Sequence, residues 1–149
     1  MQPILRSIQS TLIAYLQTLK TLPKNVCVFS DFLGTPGSYQ QVRMASLKEL
    51  QLSVAIPFPL KVTPDLLAPC WEQLAFACQL TSQQRCLSLE TMIDTAEQIC
   101  YAITQQSFST EYWSGRFRLK ENQPWEWSDS TQHSLKMNFI TSYFNVTLL

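Results

Sequence analysis

Any chemistry in this sequence would fall to one histidine, five cysteines and one close set of carboxylates. A Ser-His-Asp or Cys-His site would have to use His133. It lies in the polar stretch from Ser128 to Ser134, with no glycine-flanked nucleophile turn nearby, and reads as a surface histidine. The cysteines are Cys27, Cys70, Cys78, Cys86 and Cys100; no two have the two-residue spacing of zinc ligands. They read as free, mostly buried thiols. Their odd number, and a first 20 residues without a charged start, apolar core and cleavage site, point to a reducing compartment. Glu90, Asp94 and Glu97, spaced by four and three, share one face of a helix. They could hold a cation or pair as acid and base, but such a run is more simply a wetted face or a charged contact with a neighbour. Gly34-Thr35-Pro36-Gly37 lacks the lysine and following helix of a phosphate loop. The expectation is a protein with no catalytic residues, no metal and no cofactor.

Interaction surfaces are better marked. Net charge is zero, but residues 1–62 carry a balance of +4 and residues 63–111 a balance of −5. Opposite poles let one copy complement the next. The candidate basic pole is Arg43, Lys48 and Lys61, and the candidate acidic pole is Glu90, Asp94 and Glu97. These six residues form a hypothetical oligomer interface. In Pro124-Trp125-Glu126-Trp127 two tryptophans two apart share one side of an extended segment. One or both would be exposed for partner contact, or packed under the neighbouring loop. Arg116, Arg118 and Lys120 beside Trp113 and Phe117 form a small basic-aromatic patch, more often one alternating strand with its polar side out. A sequence pI near 6.5 does not favour nucleic acid.

The elements that would position these residues follow from periodicity. Ile4, Leu5, Ile8, Leu12, Tyr15, Leu16 and Leu19 form the apolar stripe of a helix over residues 3–20. A short strand is expected over residues 25–32, then a long polar loop to Ser46. From Leu50 to Val62 every second residue is apolar, the period of a long half-buried strand. Pro57 and Pro59 sit on its opposite phase, and with Lys61 they would block pairing at a sheet edge. Residues 63–69 turn, and Trp71 to Leu80 returns with Leu74, Phe76, Cys78 and Leu80 on one face. A second helix starts at Ser88, with Leu87 and Met92 as a hydrophobic staple, and runs to about Gln106. Its stripe is Leu89, Met92, Ile93, Ala96, Ile99, Cys100 and Ile103. A short strand over residues 116–120, a turn over 124–130 and a long strand from about Leu135 close the chain. The last strand changes phase between Phe139 and Phe144, which predicts a β-bulge near residues 141–143. The fold class is α+β: a single domain over residues 1–149, a mainly antiparallel sheet with two helices on one face. No apolar run reaches the ~18 residues of a membrane span.

This element order resembles the tail-terminator and neck proteins of long-tailed bacteriophages. The resemblance lies in the helix "PILRSIQSTLIAYLQTL", the hairpin "LQLSVAIPFPLKV … WEQLAFACQLTSQQR", the helix "SLETMIDTAEQICYAI" and the strand "NFITSYFNVTLL". It covers most of the chain, rests on no diagnostic motif and carries over no individual residue. It implies a structural virion protein: a six-membered ring of copies joining tail tube to head. The implied partners are the chain itself, the tail tube and the neck or connector proteins. No membrane is implied, and nucleic acid would be met only through the ring lumen. Location would be the virion tail or neck, after assembly in the host cytoplasm. A small cytoplasmic chaperone or adaptor, binding a partner protein on its sheet, is the alternative.

Overall fold

Ile8, Leu12 and Leu16 recur at four-residue steps and are fully buried in the computed structural model. The structure describes residues 2–22, 26–31, 50–55, 58–63, 70–83, 89–129 and 132–146. The first helix, α1, spans Gln2–Gln17. Its last turn tightens: Thr18 N–H donates to the Tyr15 carbonyl at 3.0 Å and Leu19 N–H to Leu16 at 3.2 Å. Strands β1 (Val26–Asp31), β2 (Leu50–Ala55), β3 (Phe58–Thr63) and β4 (Cys70–Gln83) follow, then helix α2 (Leu89–Gln105). Strands β5 (Ser107–Ser109), β6 (Trp113–Leu119), β7 (Trp125–Asp129) and β8 (Gln132–Val146) complete the order. The sheet runs β1-β2-β4-β8-β6-β5, with β3 also on β4 and β7 also on β8. Among the described strands only β1 and β2 pair in parallel.

Cross-strand register puts the apolar residues on one face. Leu52 and Leu80, Val54 and Cys78, Cys78 and Met137, Leu80 and Leu135, and Phe76 and Phe139 lie opposite one another. All are buried and share one cluster with the inner faces of both helices. The fold is thus α+β, a mainly antiparallel sheet with both helices on one face. Phe76 stacks on Phe139 at 5.0 Å and meets Phe117 edge-on at 4.9 Å. Trp113 stacks on Phe144 at 5.6 Å, and its indole N–H donates to Ser7 Oγ on α1 at 3.1 Å. A methyl group on Gly115 would lie 3.1 Å from both Phe144 Cδ2 and the Tyr143 carbonyl oxygen, so β6 packs here where a larger residue would force a shift.

The expected long strand from Leu50 to Val62 is two strands, β2 and β3, on the same edge of β4. Residues 56–57, with Pro57, lie outside the described residues, as do 32–49, 64–69 and 84–88. The hairpin reading holds, and the register slips around Lys61. Leu74 N–H donates to Thr141 Oγ1 at 3.0 Å, away from β3. Leu74 and its opposite residue Pro59 therefore form a non-hydrogen-bonded pair, and the N–H that Pro59 lacks would have faced the outer edge. That is where a proline leaves the ladder to β4 intact.

The bulge falls where the phase change placed it. Arg116 pairs Tyr143 and Phe117 pairs Thr141, which leaves Ser142 as the extra residue. Thr141 is buried before it and Phe144 after it. Residues 124–130, expected as a turn, are instead mostly strand β7, with Trp125 opposite Met137 and Trp127 opposite Leu135. The Trp-Glu-Trp alternation outweighs its polar neighbours once β8 offers an edge. The chain from β6 to β7 passes through Gln123 at φ 52°, and Asn138 fixes it by donating to the Gln123 and Pro124 carbonyls at 2.9 Å each. Strand β5 has no counterpart in the expected order. Its three residues are too short to show a period.

On α2, Met92, Thr95, Ala96, Ile99, Cys100 and Ile103 are buried. Ile93 and Leu89, expected in that stripe, are 42% and 47% exposed. Burial centres on Met92, Ala96, Ile99 and Ile103, and one step of ~100° from Met92 turns Ile93 off the sheet. Ser88 and Leu87 lie outside the described residues.

Candidate functional site

Two of the five cysteines, Cys78 on β4 and Cys100 on α2, are described with their side chains, and both are free and buried. Burial pushes both thiols up, with Glu97 adding to it at Cys100, which reaches about 12. A thiol held protonated is a poor nucleophile and a poor metal ligand. The effect has a consequence for stability. Unfolded, both thiols ionise near the ordinary value of 9.0, whereas in the fold they keep their protons. Stability should hold below pH 9 and fall as pH rises from about 9 to about 12, by up to ~1.4 kcal/mol per pH unit per thiol. Urea melts of the parent and a Cys78→Ala/Cys100→Ala variant across that range check this. The variant's curve should be flatter, and equal slopes would show that the thiols ionise alike in both states. His133 is half-buried and stacks on Trp127 at 5.5 Å. Among the described residues no group of three His, Cys, Asp or Glu is placed to hold a metal ion.

The outer face of α2 carries the predicted acidic run, with Glu90, Asp94 and Glu97 all exposed. None makes an ion pair among the described residues. Leu89 and Ile93 are exposed on the same helix, and Tyr101 is 71% exposed. Beside this face a groove of about 580 Å³ runs between α2 and the end of α1. Tyr15, Leu19, Tyr101 and Ala102 give it apolar walls; Asp94 and Glu97 give it charge, and among the described residues no basic side chain lines it. Its walls are tied together. Tyr15 Oη donates to the Ala102 carbonyl at 3.2 Å, and the Tyr15 ring meets Phe108 edge-on at 5.3 Å. Sequence reasoning found the carboxylates but not the groove. Tyr101, four residues after Glu97 on the polar side of the helix, was the signal for it.

Two further surfaces lie on the sheet. Trp125 and Trp127 are 38% and 44% exposed, both on the face that holds the core, beside buried Met137 and Leu135. They form an aromatic rim beyond the packed centre. On the face away from α1 and α2, Arg118 lies opposite Ile140, and Lys136 precedes Ile140 by four residues on the same side of β8. Arg118, Lys120 and Ile140 line one shallow hollow of about 180 Å³. Arg118 pairs with Glu121 at 3.8 Å and Lys136 with Glu126 at 3.7 Å. The Asn138 amide, more than the Lys136 ammonium, holds the Glu126 carboxyl below the usual carboxylate range. The basic-aromatic patch is resolved as one alternating strand: Trp113 and Phe117 point into the core, and Arg118 points out. Arg116 does neither fully. Its Nε donates to the Thr104 carbonyl at 3.3 Å, placing positive charge at the C-terminal end of α2.

Of the predicted site residues, the structure brings Glu90, Asp94 and Glu97 onto one helix and Trp125 and Trp127 onto one strand. Arg43 and Lys48 lie outside the described residues, and Lys61 is placed by its backbone in β3. No family model and no curated protein matches the sequence. No helix among the described residues is long and apolar enough to cross a membrane.

Proposed function

We propose that the chain is a structural subunit of a tailed-phage particle, a tail-terminator or neck protein that assembles with its own copies into a ring. The observation that carries this reading is the outer face of α2. It presents three carboxylates without cationic partners among the described residues, next to exposed Leu89, Ile93 and Tyr101. Charge mixed with apolar area suits a contact between copies, where charge sets orientation and apolar burial gives affinity. The sheet edge supports the same reading: Pro59 removes a donor from the outer side of β3, which discourages random strand pairing.

The test is light scattering and electron microscopy of the purified protein, alone and with tail tubes. The parent should form closed particles of several copies. Glu90→Lys/Asp94→Lys/Glu97→Lys should stay monomeric under the same conditions. A parent that remains monomeric at every concentration and on tail tubes would remove the ring reading. The exposed Trp125 and Trp127 would then favour the second one, an adaptor that binds a partner protein at that rim.

A further inference from the structure

We infer that the occupant of the α1–α2 groove is the basic patch of a second copy, Arg118, Lys120 and Lys136 on the face of the sheet away from α1 and α2. The inference rests on the self-assembly reading above and names the two surfaces that meet. It starts from charge. Among the described residues the groove is lined by Asp94 and Glu97 and by no basic side chain. The patch sets Arg118 and Lys120 beside Ile140, with Lys136 four residues along β8, and its three cations outnumber the two carboxylates among them, Glu121 and Glu126. Both surfaces mix charge with apolar area, and the signs are opposite.

The existing partners of the patch do not hold it back. Arg118 and Lys136 make single contacts of 3.8 and 3.7 Å with exposed Glu121 and Glu126. Exposed pairs of this kind contribute little, so their cations can turn to a neighbour's carboxylates at small cost. The groove is preformed. The Tyr15–Ala102 hydrogen bond and the Tyr15–Phe108 ring contact fix its walls before any copy arrives. Tyr101, largely in solvent, offers a ring face to a guanidinium or ammonium group.

The placement sets the kind of assembly. The helices cover one face of the sheet and the patch lies on the other, so groove and patch look in opposite directions. A contact between them is head to tail and leaves one groove and one patch free at the ends. It repeats until the rotation between copies closes a ring.

Charge exchange tests this. Asp94→Lys/Glu97→Lys should raise the concentration needed for assembly by more than about tenfold, because like charges then face each other. Asp94→Asn/Glu97→Gln, which keeps the side-chain shapes, should raise it less; circular dichroism and urea midpoints check that both variants fold. Adding Arg118→Glu/Lys120→Glu/Lys136→Glu to the lysine variant should restore assembly. Assembly of the lysine variant at the parent's concentration would overturn the inference, as would failure of that restoration. Restoration by Arg43→Glu/Lys48→Glu/Lys61→Glu instead would overturn it while leaving self-assembly intact. A parent that never assembles, alone or on tail tubes, would overturn both.

Discussion

Trp113→Ala should destabilise the protein by about 3–5 kcal/mol, the range for emptying a large aromatic site in a core. Trp113 is fully buried where β6, β8 and α1 meet. It stacks on Phe144, stands 6.4 Å from Phe117 and ties α1 to the sheet through Ser7. Removing it opens a cavity and cuts that tie together. Urea unfolding followed by circular dichroism gives the loss. Trp113→Phe keeps most of the ring packing and should lose much less. If alanine costs under ~1 kcal/mol, the site collapses freely and Trp113 does not anchor α1.

Phe139→Ala should be as costly, about 3–5 kcal/mol. Phe139 is the point at which three strands meet, opposite Phe76 on β4 and Leu119 on β6. A double-mutant cycle with Phe76→Ala isolates their stacking, expected at ~0.5–1.5 kcal/mol beyond area. A coupling near zero would mean that the rings only share a neighbourhood. Neither residue lies on a proposed contact surface, so both losses should appear in the monomer and at any protein concentration.

How much of this was legible depended on the length of each pattern. The Ile8-Leu12-Leu16 stripe and the Leu74 to Leu80 alternation run long enough for their periods to be unambiguous, and both were read correctly. The bulge at Ser142 was readable because a bulge inverts phase, and Phe139 and Phe144 record the inversion. Strand β7 was missed because its flanks are polar and its pairing partner comes later in the chain. Propensity alone cannot see that partner. Ile93 was misassigned because a helical stripe has two borders, and only the packing of α2 on β6 and β8 decides which border is buried. Of the candidate site, the carboxylate run was visible as spacing. The groove was not, since it needs two helices some 80 residues apart to lie side by side, as the Tyr15–Ala102 bond with its 87-residue separation shows.

The central place of β8 bears on how the chain folds during synthesis. This strand, latest in chain order, carries β4 along one edge and β6 and β7 along the other. A ribosome that has emitted everything up to Asp129 has made both described helices and seven of the described strands, yet not the strand that joins the halves of the sheet. Until then β4 has an open edge on that side, and Phe76, Cys78 and Leu80 lack their neighbours on β8. Pairings over such sequence distances close slowly, because loop entropy must be spent before contacts form. Nascent chains stalled short of residue 132 should therefore be protease-sensitive and prone to aggregate, and protection should appear late and all at once.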